Sequence, residues 1–169
     1  DSSLEENRTE LFWLHAIARD TDAKVIRPVL RRDGEMMNIT NAPGTPPNKR
    51  CALFGWIPGR PLAEQITPQY YRQLGAMMAR LHNHSASLRL PPEIQPKRWD
   101  KVFYYPDEKA IYHLPEYRRL FDDERRARMD RAVKLLDAFL PALYQRGEPP
   151  MLIHGDLHPW NLLFVRGAA

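Results

Sequence analysis

An aspartate and an asparagine five residues apart, Asp156 and Asn161, stand in the run His-Gly-Asp-Leu-His-Pro-Trp-Asn over residues 154–161, flanked by the apolar stretches 151–153 and 162–165. A carboxylate on a loop can accept a hydrogen bond from a substrate hydroxyl and aim its oxygen for in-line attack on phosphorus, while a carboxamide offers a neutral oxygen to Mg²⁺. The pair points to phosphoryl transfer from ATP, with Asp156 orienting the acceptor hydroxyl and Asn161 as the metal ligand. His154 completes the catalytic set as a brace for the loop rather than as a reacting group. A zinc-hydrolase reading of His154, Asp156 and His158 is weaker, since a zinc site needs further ligands with their own spacing. His82 and His84 do not supply them easily, because neighbours at that spacing on a helix do not face one point; they read as helix-end residues.

The elements that must position this loop can be read from periodicity and caps. Ser3 and Glu6 form a capping box at the start of a helix on which Leu4, Leu11, Leu14 and Ala18 trace one apolar stripe. Residues 25–30, a turn over 32–35 and residues 36–39 resemble a short hairpin. Residues 41–48 hold three prolines and a glycine and must be a loop, whereas 50–57 is apolar enough for a buried strand ended by Pro58 and Gly59. Thr67 before Pro68 is an N-cap with proline at the first helical position, and Tyr71, Leu74, Met78 and Leu81 keep helical spacing to about residue 84. Residues 91–115 give no clean period. Met129, Val133, Leu136, Leu140 and Leu143 mark a long amphipathic helix over 123–145, which Gly147 and Pro149 end. Residues 151–153 and 162–165 fit two brief strands joined by the chemical loop.

A strand-containing first third thus gives way to helices at residues 58–61, where a connector would be a hinge between two lobes. A cleft between lobes is a usual place for a small ligand. With 43% hydrophobic and 27% charged residues, the 169-residue chain has an ordinary globular composition, with enough length for one sizeable core or two small lobes. Its formal charge of +4 does not make it a nucleic-acid binder, because Arg and Lys are interleaved with Asp and Glu and no basic stripe with aromatics is visible. The basic run Arg125, Arg126, Arg128 follows Asp122, Asp123 and Glu124 and reads as a solvated helix face. No apolar run approaches the roughly 20 residues that span a bilayer. Cys51 is the single cysteine and cannot form an intramolecular disulfide, so a reducing, cytoplasmic setting is expected. Nothing in the chain reports an oligomeric state.

The spacing of Asp156 and Asn161 is that of the catalytic loop H-x-D-x-x-x-x-N of kinases. The run as a whole resembles the H-G-D-x-H-x-x-N loop of the aminoglycoside phosphotransferase and choline kinase superfamily, and Gly155, where protein kinases usually carry Arg, favours its small-molecule branch. Residues 53–62, Leu-Phe-Gly-Trp-Ile-Pro-Gly-Arg-Pro-Leu, are similar to the linker between lobes in that superfamily. Leu74-Gly75, Leu81-His82 and Arg98-Trp99-Asp100 resemble its bacterial branch, which includes homoserine-kinase-like proteins. The resemblance implies an α+β, protein-kinase-like two-lobe fold: residues 1–57 as a partial nucleotide-binding sheet lobe, 58–62 as the linker, and 63–169 as a mainly helical lobe. It implies ATP and Mg²⁺ as cofactors and a small-molecule hydroxyl as acceptor. By the same resemblance the backbone of Gly55 and Ile57, with Trp56 between them, binds the adenine edge, and Glu10 pairs with the ATP-binding lysine.

Three working parts of that machinery are not in the sequence. There is no glycine-rich strand pair and no lysine strand before Glu10, and no Asp-Phe-Gly-like segment after Val165 to supply a second magnesium ligand. The expectation is therefore a fragment of a phosphotransferase that by itself binds ATP weakly and turns over poorly. A protein Ser/Thr kinase-like enzyme and a non-catalytic kinase-like binding protein are the competing readings. Residues 85–125 should set the acceptor, and there Asp100, Asp107, Glu108 and Glu116 are offset by Lys97, Arg98, Lys101 and Lys109. Aminoglycoside, homoserine, choline and sugar hydroxyls all stay open.

Overall fold

A computed structural model describes residues 3–61, 67–103, 105, 108–146 and 151–164. The chain divides into two compact units, Asp1–Pro96 with Met151–Ala169, and Lys97–Pro150. Helices and small antiparallel sheets coexist, as an α+β reading requires. Among the described residues no helix is long and apolar enough to cross a membrane.

In the first unit, helix α1 (Leu4–Asp20) starts at the expected capping box: Ser3 Oγ accepts the Glu6 N–H at 3.0 Å and Glu6 Oε2 accepts the Ser3 N–H at 2.6 Å. Glu5 and Glu6 in the first turn and Arg19 in the last complement the helix dipole. The stripe expected along α1 is only partly the buried one. Leu11 is buried, but Trp13, Ala16 and Ile17 are buried as well, because the side of the helix carrying Trp13 and Ile17 meets a second helix.

The hairpin expected over 25–39 forms elsewhere. Residues 31–35 do make a tight turn, with Arg31 N–H donating to Glu35 O at 2.8 Å. The returning chain then runs on, and β1 (Asn38–Thr40) pairs with β2 (Lys49–Cys51), Ile39 standing opposite Arg50 across the proline-rich loop. That loop is closed by Asn41 Oδ1, which accepts the Asn48 N–H at 2.7 Å. Residues on either side of Pro28 pair instead with 53–55: Val29 N–H donates to Leu53 O at 2.8 Å and Gly55 N–H to Arg27 O at 2.9 Å. Pro28 has no N–H to give, and this register places it where none is needed. Residues 50–57 are not a buried strand, since Leu53 and Trp56 are exposed and no second layer of described residues covers them.

Helix α2 (Pro68–Ser87) has the expected Thr67 cap, whose Oγ1 accepts the Tyr70 N–H at 3.4 Å. Its Leu81 joins Trp13, Ile17 and Ala23 in the core of this unit, with Val25, Met77, Leu88, Leu152 and Leu157 packed against them. Tyr71 and Met78 are exposed, so the inward face of α2 is the Met77, Leu81 side rather than the full stripe expected. Each large side chain so buried contributes about 1.5–3 kcal/mol relative to exposure. Residues 151–153 form no strand among the described residues, while Leu163–Phe164 forms β4 and pairs with β3 (Arg60–Pro61). Leu62 and Val165 lie outside the described residues.

A polar chain crosses between α1 and α2 above this core. Trp13 Nε1–H donates to His84 Nδ1 at 3.3 Å, and His84 Nε2 lies 3.1 Å from Asp20 Oδ2. An indole N–H can only donate, so the His84 proton sits on Nε2 and is given to Asp20. Arg19 donates to both oxygens of the same carboxylate, at 2.6 and 2.8 Å. His84 is in the last turn of α2, where a helix-end residue was expected, but its side chain is only 7% exposed and ties two helices together. A cavity of about 880 Å³ opens beside it, lined by Arg19, Asp20, Arg80 and Arg89 among others; none of the candidate catalytic or nucleotide residues lines it.

In the second unit, helix α3 (Asp123–Leu143) is capped by Asp122, whose Oδ1 accepts the Arg125 N–H at 2.8 Å. Asp123 with Arg126 and Glu124 with Arg128 form ion pairs along its first turns, so the basic run is a charge-matched face. None of its residues is buried, and of the stripe from Met129 to Leu143 only Val133 and Leu140 are partly covered among the described residues. The irregular chain before it is fastened to it. Val102 N–H donates to Asp137 Oδ1 at 2.7 Å, Trp99 N–H to Tyr144 Oη at 3.1 Å, and the buried Tyr112 hydroxyl to Asp130 Oδ1 at 3.1 Å. Asp107, Gly147 and Pro149 lie outside the described residues.

The Arg19 guanidinium first, and His84 second, pull the Asp20 carboxyl from its ordinary 3.8 down to about 2. A depressed folded value means that the unfolded chain takes up the proton first as the pH falls. The stabilisation is complete above pH ~4 and is lost on the way to pH ~2. Urea unfolding followed between those limits should show stability falling, and Asp20→Asn should flatten part of that slope. Parallel slopes for the two proteins would contradict this account.

Candidate active site

The loop over residues 154–161 is anchored before it is shaped. Leu152 on its entry and Leu157 within it pack on the Trp13, Ile17, Ala23, Leu81 core. On its exit, β4 pairs with β3, Arg60 opposite Phe164 and Pro61 opposite Leu163, which ties the loop to the linker segment. Tyr70 of α2 meets the Phe164 ring edge-on at 4.8 Å. With Leu157 turned to the core, Asp156 and Asn161 are left exposed.

Internal hydrogen bonds then set the loop's conformation. Asp156 N–H donates to His154 Nδ1 at 3.3 Å, across Gly155 at φ +75°. His158, in extended backbone, caps a short 3-10 helix, Pro159–Asn161: its Nδ1 accepts the Trp160 N–H at 3.2 Å. Asn161 N–H donates to His158 O at 2.9 Å. This brings the two candidate groups together. Asn161 Nδ2 donates to Asp156 O at 2.8 Å and to Asp156 Oδ2 at 3.0 Å. Two acceptors on one side fix which end of the carboxamide is nitrogen, so Oδ1 is the free end.

That donor set suits a hard cation. Asn161 Oδ1 and the exposed Asp156 carboxylate are oxygen ligands of the kind Mg²⁺ takes, and Mg²⁺ is usually held by one or two such groups together with substrate phosphates. Among the described residues no group of three or more His, Cys, Asp or Glu side chains could hold a metal ion, so phosphate oxygens would have to supply the remainder.

The other candidates are in the same unit but are not brought into contact with this pair by any described hydrogen bond. Trp56 is 90% exposed and Ile57 half-buried. The Gly55 N–H is taken up by Arg27 O, which leaves its carbonyl as the group it can present. Glu10 is exposed on α1, three residues before the buried Trp13, with no hydrogen bond or ion pair among the described residues. Sequence reasoning weighed His158 only in the weaker zinc reading and missed it as a cap, and it passed over Leu157. The signal for the first was its place directly before Pro159, the N-cap position of a helix that begins with proline.

Residues 2–168 match the model of the phosphotransferase enzyme family. The chain belongs to that family. Among solved structures, the microcompartment-associated aminopropanol kinase is similar, with 26% identity and a TM-score of 0.63 over 96% of this chain and 49% of the other. The chain thus spans about half the length of that kinase. No curated protein gives a significant match. The membership and the partial kinase-like α+β fold expected from the catalytic loop and linker therefore hold.

In this phosphotransferase-family chain two glycines around the loop are required for different reasons. A Cβ on Gly59 would stand 2.8 Å from Leu163 Cβ, so Gly59→Ala must push β3 and β4 apart. Gly155 has open space around it but a left-handed backbone. Gly59→Ala should destabilise by about 1–3 kcal/mol through overpacking. Gly155→Ala should destabilise by about 1–2 kcal/mol through conformation alone. Asn tolerates the left-handed region, so Gly155→Asn should recover most of the loss and Gly59→Asn none, as read by urea unfolding. Equal behaviour of the two positions would refute the distinction.

Proposed function

We propose that the protein transfers the γ-phosphoryl group of ATP to the hydroxyl of a small, amine-bearing alcohol. The observation that carries this reading is the Asn161 to Asp156 pairing, which holds a carboxylate and an oriented carboxamide oxygen on one exposed face of an otherwise anchored loop. Family membership supports the reaction class, and the similarity to an aminopropanol kinase supports an acceptor that carries nitrogen. An exposed lone Cys51 is compatible with a cytoplasmic setting.

In this mechanism Asp156 accepts a hydrogen bond from the acceptor hydroxyl and turns its oxygen toward the phosphorus. Asn161 Oδ1 would hold Mg²⁺, which when bound neutralises charge on the transferred phosphate. His154 and Gly155 fix the Asp156 backbone. The Gly55 carbonyl and the Ile57 backbone, with Trp56 between them, would bind the adenine edge, and Glu10 would pair with the lysine that contacts the phosphates. Residues 1–57 then act as the nucleotide lobe, 58–62 as the linker and 63–169 as the acceptor lobe. Catalysis rests on positioning and charge neutralisation, since a loose phosphoryl-transfer transition state needs little covalent help.

Asp156→Asn in the full-length protein should lower turnover by roughly 10²–10⁴-fold while ATP affinity by calorimetry stays nearly unchanged. Unaltered turnover would remove Asp156 from its role. A panel of aminopropanol, choline, homoserine, an aminoglycoside and neutral sugars, followed by ADP release, should show phosphorylation of amine-bearing alcohols. Preference for neutral sugars would overturn the acceptor class.

A further inference from the structure

We propose that His158 is a positioning residue for Asp156, an inference that rests on the phosphoryl-transfer reading above. A backbone N–H can only donate, so the bond from Trp160 N–H to His158 Nδ1 makes that nitrogen an acceptor and leaves the ring proton on Nε2. Nε2 faces Asp156 Oδ1 at 3.4 Å. Asn161 Nδ2 holds the other oxygen, Oδ2, at 3.0 Å.

A carboxylate held at one oxygen can swing about its terminal torsion, which is broad and nearly two-fold. Held at both, it keeps one plane, and a lone pair on each oxygen stays free for the acceptor hydroxyl. The His158 ring is itself restrained: the Trp160 indole meets it edge-on at 5.6 Å, and the ring is half-buried whereas the Asp156 side chain is 75% exposed. The 3.4 Å approach is an ion-pair contact at the long end of hydrogen-bonding range, and catalytic contacts that are long in an unliganded site tighten when substrate binds. One side chain thus does two things. Its Nδ1 caps the short helix that presents Asn161, and its Nε2–H orients Asp156, so the two catalytic groups are aligned through a single ring.

The two tasks separate by mutation. Asn is a strong N-cap residue, so His158→Asn keeps an acceptor for the Trp160 N–H but is too short to reach Asp156 Oδ1; His158→Ala loses both. In the full-length protein, His158→Asn should unfold at nearly the wild-type denaturant midpoint yet lose roughly 10- to 100-fold in kcat with KM for ATP and for aminopropanol unchanged, the scale on which misorientation acts. Wild-type kcat in His158→Asn would mean that His158 is a cap alone and would overturn the proposal. Asp156→Asn measured alongside keeps the two readings apart. If that variant is dead while His158→Asn is fully active, only the His158 inference fails; if it stays active, the phosphoryl-transfer role of Asp156 fails. Independently of turnover, long-range ¹⁵N–¹H correlation of the imidazole should show the Nε2–H tautomer at His158, and an Nδ1–H tautomer would equally overturn the proposal.

Discussion

The insertion of Leu157 and Leu152 against Trp13, Ile17, Ala23 and Leu81 is the contact on which the candidate site depends. Leu157 lies between two residues whose value is polar, Asp156 and His158, and it can enter the core only if those neighbours are left near the surface. Burying one leucine therefore leaves the candidate reactive groups at the surface. The same core receives α1 through Trp13 and α2 through Leu81, so the helix that carries Glu10 and the loop that carries Asp156 are referred to one apolar cluster.

Polar links refine what the apolar cluster positions. Three imidazoles in this unit, His84, His154 and His158, each accept at Nδ1 from an N–H that can only donate. Each is thereby held in the Nε2–H tautomer by a neighbour with no alternative role. In His84 that proton reaches Asp20 and ties two helix ends; in His158 it faces Asp156. The pattern is economical in sequence, because an ordinary backbone amide or indole suffices to orient a ring. For His154 and His158 it is also local, so the loop is shaped by its own bonds while the candidate catalytic side chains stay exposed.

Much of the fold was legible where a local rule was decisive. The capping box at Ser3 and the Thr67-Pro68 start of α2 rest on hydrogen bonds closed within one turn, and each is found where expected; α3 was expected from its period alone, and its Asp122 cap is seen only in the structure. Strand pairing was read less well. Residues 36–39 were paired with 25–30 because a turn lies between them, yet β1 joins β2 and Pro28 stands opposite Phe54. A turn dictates reversal of direction only locally; which strand lies beside which depends on the whole sheet and on where a proline can be accommodated. The inward faces of α1 and α2 were likewise set by the partner they meet, which periodicity does not name.

For the site, the sequence by itself determined the chemical set: a carboxylate and a carboxamide at a spacing that suits phosphoryl transfer, and a resemblance that the match over residues 2–168 bears out at the level of family. Residue type and spacing carry that information because the chemistry constrains them directly. Only the tertiary structure decided which end of Asn161 is the free oxygen, which nitrogen of His158 carries the proton, and that Gly59 must lie flush against Leu163. The first two rest on partners within the same irregular loop and the third on a residue far along the chain, and no helix or strand period orders any of them.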